Sequence, residues 1–459
     1  MLPPPESPLA ADRLIRIVRD RFKHVPDTRT EPTISLRDAL LSGFALFFLK
    51  SPSLLAFERE RTTNTFNLQA LFGLKQIPCD THMRTILDDI DPRLLRPAFT
   101  DLFRHLQRGK YLERFVSFRG PDLLASDGTT HFSSDKIHGP RCLQKRSRNG
   151  VVSYHHRMLG MALVHPDFRE VVPLCPEPII QQDGTTKGDG ERSASARALK
   201  DFRREHPKRP VIIVEDALRA EGPHVRILKP HRIPLILSVK PGKQTHLFAP
   251  MNQADEDRRQ ADDGVREPMA QDLGAQMDQA EQDGRVQVLT LVDPDGTVHH
   301  DRWLTDAALN KTYADERVGM LDYWELGARD VRHFRCITDL ELTAGTVSDV
   351  ARGGRARWRI ENETFNTLKN RDYAFEHNFG HGRNHLATVF ALLMMLAFLV
   401  DQAQQIGDGL FQALWAKMGS KRRLWKKVQS LFECFHFPSF RQLYETLLNF
   451  QKMPHPNTS

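Results

Sequence analysis

The chain is short of cysteine. Cys79, Cys142, Cys175, Cys336 and Cys434 are the only five in 459 residues. Their odd number and wide spacing exclude a disulfide framework and a cysteine-rich zinc module, and predict a reducing, cytoplasmic setting. Long apolar runs are missing too. The most apolar stretch, Leu386 to Val400, is about fifteen residues, where a bilayer needs about twenty, so a buried helix and no membrane partner are predicted. The first residues, Met-Leu-Pro-Pro-Pro-Glu-Ser, lack the basic-then-apolar order of a secretory signal. No glycine-rich phosphate loop and no serine nucleophile elbow occur, which leaves nucleotide hydrolysis and esterase chemistry without support and predicts no nucleotide cofactor. No internal repeat is found.

What the chain does carry is positive charge, +7 overall, with an isoelectric point near 9.1. The charge is clustered. Lys417, Lys421, Arg422, Arg423, Lys426 and Lys427 form a run with no acid between Asp408 and Glu433. Arg141, Lys145, Arg146 and Arg148 make a second group, and Arg352, Arg355, Arg357 and Arg359 a third. Three such groups suit a surface that tracks phosphates, although any one alone reads as a solvated face.

Hydrophobic spacing divides the chain into five parts. Residues 1–115 read as helical, with Ser35 ahead of Asp38 as a capping pattern. From 116 to 240 short apolar runs bounded by turn residues predict strands at Asp122–His131, Val151–His165, Phe168–Leu174, Arg209–Ala217 and Pro234–Val239, with a helix over 193–205. A β-rich insertion is expected over 241–340, opening with an acidic exposed stretch at 250–285. The helix carrying Glu361 follows within 341–385, and further helices fill 386–459. The fold class expected is α/β, a mixed sheet flanked by helices.

Three carboxylates stand out. Asp127 and Asp216 fall at strand ends, and Glu361 falls on the helix of residues 352–369. At about 100° per residue, Trp358, Phe365 and Leu368 share one apolar stripe, Glu361 lies inside it and Glu363 points away. An acid facing a core is costly unless paired, bonded or holding a metal. Arg357, one turn before Glu361, could pair with it; a surface Glu–Arg pair on an amphipathic helix is the plain alternative. Two strand-end acids and one helix acid form an oxygen-only donor set suited to Mg²⁺ or Mn²⁺. Glu215 could replace Asp216 as ligand, but alternation puts it on the other sheet face. His377, His381 and His385 are four apart, a zinc-like spacing that Gly380 and Gly382 interrupt. His155 and His156 read as strand residues or phosphate contacts.

With Ser126-Asp127-Gly128-Thr129-Thr130, Val-Ile-Ile-Val-Glu-Asp216 and Arg-Trp-Arg-Ile-Glu361-Asn in place, the chain resembles DDE transposases of bacterial insertion sequences. The group it resembles has an RNase H-like core with a β-rich insertion before the final Glu. Glu376-His-Asn-Phe-Gly-His-Gly382 extends the likeness, which covers roughly residues 30–450. The resemblance implies Asp127, Asp216 and Glu361 as the catalytic metal-binding triad, holding two Mg²⁺ or Mn²⁺ ions. It implies DNA contacts by Arg357 and Lys369, and by Trp303 stacking on a flipped base. Implied partners are the terminal inverted repeats and target DNA, bound as a homodimer in the cytoplasm, at the nucleoid. The chain departs from the family on the Glu helix. The family's Tyr falls on Gly354 and its Lys on Leu368; Lys369 comes one place later, about 80° from Glu361. Two other functions remain open, a metal-dependent nuclease without strand transfer and a non-catalytic DNA-binding relict.

Overall fold

A computed structural model describes residues 7–118, 120–183, 187–216, 219–239, 285–310, 312–327 and 331–449. Except for Arg285, the acidic stretch expected at 250–285 lies outside the described residues.

The N-terminal region is helical as expected: α1 (Ala11–Phe22), α2 (Leu36–Phe48), α3 (Leu54–Thr63), α4 (Thr65–Phe72), α5 (Asp80–Asp88) and α6 (Arg96–Arg108). The Ser35 hydroxyl accepts from the Asp38 backbone N–H at 3.1 Å, a cap worth about 1 kcal/mol. Helix α2 is buried along almost its whole length, because the C-terminal helices cover its outer side. Those are α11 (Leu386–Gly407), α12 (Gly409–Met418), α13 (Lys421–Cys434) and α14 (Phe440–Asn449); the labels α7 to α10 belong to helices between. Among the described residues α11 is the one helix long and apolar enough to cross a membrane, but 89% of its most apolar window is buried inside the protein. It is longer than its apolar run suggests, since Asp401, Gln402, Gln404 and Gln405 are buried polar residues on it.

Between these helices lies one mixed sheet. Its strands are β1 (Asp122–Ser134), β2 (Leu143–Arg146), β3 (Val152–Val164), β4 (Val172–Pro173), β5 (Glu177–Ile179), β6 (Val211–Glu215), β7 (Leu235–Ser238), β8 (Gln287–Val292), β9 (Val298–Ala308), β10 (Arg317–Leu326) and β11 (Val331–Thr338). The order is β2-β3-β1-β6-β7-β11-β10-β9-β8, with β4 and β5 also on β3. Strands β1 and β3 are antiparallel, β1, β6 and β7 run parallel, and β11 returns antiparallel on β7. The β-rich segment therefore extends the same sheet, and β11 covers the edge that β7 would otherwise expose.

Two expectations shift. The third strand shrinks to Val172–Pro173, with Glu177–Ile179 added beyond it; Pro173, Pro176 and Pro178 have no N–H to continue a ladder. The helix expected from 193 starts earlier, as α7 (Lys187–Glu205). Helix α8 (Gly222–Leu228) separates β6 from β7, and α9 (Val347–Arg355) and α10 (Asn366–Asn370) carry the chain from β11 to α11.

Candidate active site

The parallel pairing of β1 with β6 runs from Asp122 opposite Val211 to Ala125 opposite Val214. One step further sets Ser126 level with Glu215, and a second sets Asp127 level with Asp216. Side chains alternate between faces, so the two pairs serve different surroundings. Glu215 is fully buried; it accepts from the Ser126 hydroxyl and bonds the His224 ring, with Arg219 at 3.7 Å. Burial opposes ionisation there, yet His224 and Arg219, with the two hydrogen bonds, hold the Glu215 carboxyl down to about 2. Glu215 is thus a satisfied buried anion, as strand alternation predicts.

Asp127 is not at the end of β1, which continues to Ser134. It sits where the parallel partner stops and the sheet opens. Its Oδ1 accepts from the Gly128 N–H at 2.8 Å. Burial, then the charges of Glu361 and Asp216, push its pKa up to about 7, and Arg357 pulls the other way. Asp216 is also raised, first by burial and further by Glu191 and Glu215, against Arg219 and Arg357. The three acids named from sequence therefore act on one neighbourhood, and Arg357 is the cation they share. Asp127 and Glu361 come within side-chain hydrogen-bond reach of each other, but the three acids do not close up as a trio: among the described residues the only metal-competent group of three gathered within 4.8 Å is a different one, Cys142, His156 and His381.

Glu361 does not sit on a regular α-helix. Ile360–Phe365 form a π-helical turn, whose i→i+5 bonding widens the turn and spoils the 100° register; such insertions recur at functional sites. The solvent assignments reverse accordingly. The Glu361 side chain is 44% exposed and Glu363 16%. Trp358, placed on the apolar stripe by helical spacing, is 46% exposed. Glu361 faces the open site, where Arg357 Nη1 holds its Oε1 at 2.8 Å. Glu363 lies near Arg359 at 3.7 Å and Arg169 at 3.9 Å. The π turn is seated by Phe365, which packs over Gly160 of β3, the residue paired with Asp127; a Cβ there would come within 2.7 Å of the ring.

The departure at Gly354 has a steric cause. A Cβ at that position would lie 2.5 Å from Phe334 and 2.9 Å from Ile236, so α9 rests too close to the sheet for a tyrosine. Lys369 bonds Glu376 at 2.8 Å. Trp303 is 2% exposed within the core of the β-rich part of the sheet, so its indole offers no face to a base; the expectation of stacking is corrected by its burial. The third basic cluster is spent internally: Arg352 on Asp167, Arg355 on Glu325, Arg357 on Glu361 and Arg359 on the Pro166 carbonyl. The other two keep exposed members, Arg141, Lys145, Arg146 and Arg148 on the β2 hairpin and Arg422, Arg423, Lys426 and Lys427 on α13.

Sequence reasoning missed Glu191. It is 1% exposed on α7, pairs with Arg157 and lies 3.5 Å from Arg219. It occupies the space a Cβ on Gly128 would need, 2.4 Å from Oε1. No motif marks it; only the fold brings α7 beside Asp127. The histidines also regroup. His377 is exposed and meets Phe379 edge-on, while His381 turns to Cys142 and His156.

No protein-family model matches the chain, and no curated protein matches it.

Proposed function

We propose that the protein is a DDE transposase, which cuts and rejoins the DNA ends of a mobile element by metal-dependent phosphoryl transfer. The observation that carries this reading is the parallel register of β1 and β6, whose continuation past Ala125 and Val214 brings Asp127 level with Asp216 just beyond the end of β6, with Glu361 acting on Asp127. The sheet supports it as well: three antiparallel strands followed by two parallel ones, with a β-rich extension before the Glu segment, suits an RNase H-like core.

The donor set fits hard divalent cations. All three ligands are carboxylates, they repel one another, and Arg357 is their shared counter-charge. Asp127, Asp216 and Glu361 would hold the Mg²⁺ or Mn²⁺ ions. When bound, such ions activate an attacking oxygen and stabilise a leaving one in an in-line displacement. The protein's own part is positional. Gly128 fixes Asp127 through its N–H, Phe365 seats the turn that carries Glu361, and Arg357 orients Glu361 while remaining close to where a phosphate would sit. The exposed bases of the β2 hairpin and α13 supply phosphate contacts for DNA flanking the cut.

A duplex carrying the DNA end beside the protein's own gene, incubated with Mg²⁺ and a target plasmid, tests this. Cleavage leaving a 3′-OH that becomes joined to the plasmid is the expected result. Cleavage without joining would replace the reading with a nuclease, which the burial of Trp303 and the pairing of Lys369 with Glu376 favour as the second reading. Binding of the end with neither reaction would leave a non-catalytic DNA-binding protein.

A further inference from the structure

We propose that Cys142, His156 and His381 form a zinc site, separate from the carboxylate cluster and independent of the DNA reading. Cys142 Sγ lies 3.0 Å from His381 Nε2 and 3.5 Å from His156 Nε2, and the two ring nitrogens are 3.2 Å apart. Zinc binds sulfur at about 2.3 Å and imidazole nitrogen at about 2.0–2.1 Å in tetrahedral geometry. Those lengths place two nitrogens roughly 3.3 Å apart and a nitrogen roughly 3.5 Å from sulfur. Two of the three edges match, and the third is about half an ångström short.

The ligands come from three elements, which is why no spacing rule finds them. Cys142 ends the turn before β2, His156 lies on β3, and His381 belongs to the loop joining α10 to α11. Two of them are held from behind. His381 Nδ1 donates to the Gly382 carbonyl at 2.7 Å, which leaves Nε2 as a lone pair aimed at the other two donors, the arrangement metal-ligating histidines adopt. Gln181 Nε2 donates to the Cys142 carbonyl at 2.6 Å. Gly139 lets the turn cross His381, since a Cβ there would lie 2.8 Å from the ring. Phe132 covers both imidazoles, with ring centroids 5.6 and 4.9 Å away.

A neutral imidazole is the form that binds metal, and zinc would displace the thiol proton to solvent on binding. The donor set of one sulfur and two nitrogens selects zinc over the hard ions proposed for the carboxylates. Among the described residues no fourth His, Cys, Asp or Glu joins the group, so water completes the tetrahedron. The ion would clamp the basic β2–β3 hairpin to the loop between α10 and α11; β3 in turn pairs with β1, the strand of Asp127.

The test is metal content and ligand spectroscopy on the full chain. Protein purified from zinc-supplemented culture and dialysed without chelator is expected to retain one zinc per chain. Cys142→Ser and His381→Gln should each lose it, and His377→Gln should keep it. Replacing the zinc with Co²⁺ should give a thiolate-to-metal charge-transfer band in the near ultraviolet, absent from folded Cys142→Ser as judged by circular dichroism. If Cys142→Ser fails to fold, the Co²⁺ spectrum of the wild type decides alone. A wild type that holds no zinc and gives no thiolate band overturns the site, leaving an S–H···N hydrogen-bonded cluster. Metal retained equally by both ligand variants overturns it too.

Discussion

Lys50 offers the sharpest test of how the two helical ends are tied to each other. It is 4% exposed, takes a positive φ of 58°, and sets its ammonium 2.7 Å from Asp401 Oδ2. The ammonium also lies 3.9 Å from the Tyr373 ring centroid and 4.3 Å from that of Trp425, and the Tyr373 hydroxyl bonds the same carboxylate. Four elements meet there: the end of α2, the loop after α10, α11 and α13. Lys50→Met leaves Asp401 buried and charged with only a hydroxyl to answer it, a loss of about 3–5 kcal/mol. Asp401→Leu should cost less, because burial already pushes the Lys50 ammonium below its ordinary pKa, so it sheds its proton more readily. The double variant removes both charges and should fall within about 1 kcal/mol of wild type. Urea unfolding of the four proteins measures the cycle. Additive single losses, or a double variant as unstable as Lys50→Met, would refute the claim that this is a desolvated pair.

Other consequences are simpler to read. Gly160→Val should collide with Phe365, costing about 1–3 kcal/mol and depressing any Mg²⁺-dependent cleavage more than DNA binding; unchanged cleavage would detach the π turn from the site. His206, 6% exposed, is held near pKa 4 by burial and then by the Arg104 and Arg209 charges. A depressed histidine pKa means stability is complete above 6.5 and drains as pH falls from 6.5 to 4, by at most about 3 kcal/mol; His206→Gln should flatten that part of a melting-temperature profile. Reversing Arg423 and Lys427 to Glu should weaken DNA binding at all sequences and lower the slope of log K against log salt by about 1–2; an unchanged slope would remove α13 from the DNA surface.

Much of the architecture was legible because it rests on periodicity. The helices at both ends and the strands bearing Asp127 and Asp216 follow from apolar spacing, and strand alternation alone separated Asp216 from Glu215. The Glu361 segment was legible as a site but not as a geometry. A π turn leaves no mark on apolar spacing, so the fixed 100° step exchanged the surroundings of Glu361 and Glu363. Charge counting overreached for the same kind of reason: Arg352, Arg355 and Arg359 look free in sequence, and their partners Asp167, Glu325 and Pro166 are far away in it. Glu191 and the Cys142–His156–His381 cluster are products of tertiary packing, with cluster members up to 239 residues apart. Trp303 shows the converse, a residue given a role by resemblance that the core has already claimed.

Under the proposed function Glu361, not Glu363, completes a metal-dependent cutting site. The direct measurement is Mg²⁺-dependent strand cleavage of the gene-flanking duplex by wild type, Glu361→Gln and Glu363→Gln, with DNA binding measured alongside. Glu361→Gln is expected to bind normally and lose cleavage by more than about a hundredfold, while Glu363→Gln, which disturbs the pairs with Arg359 and Arg169, should cut within a few-fold of wild type. Cleavage by Glu361→Gln at the wild-type rate would contradict that assignment.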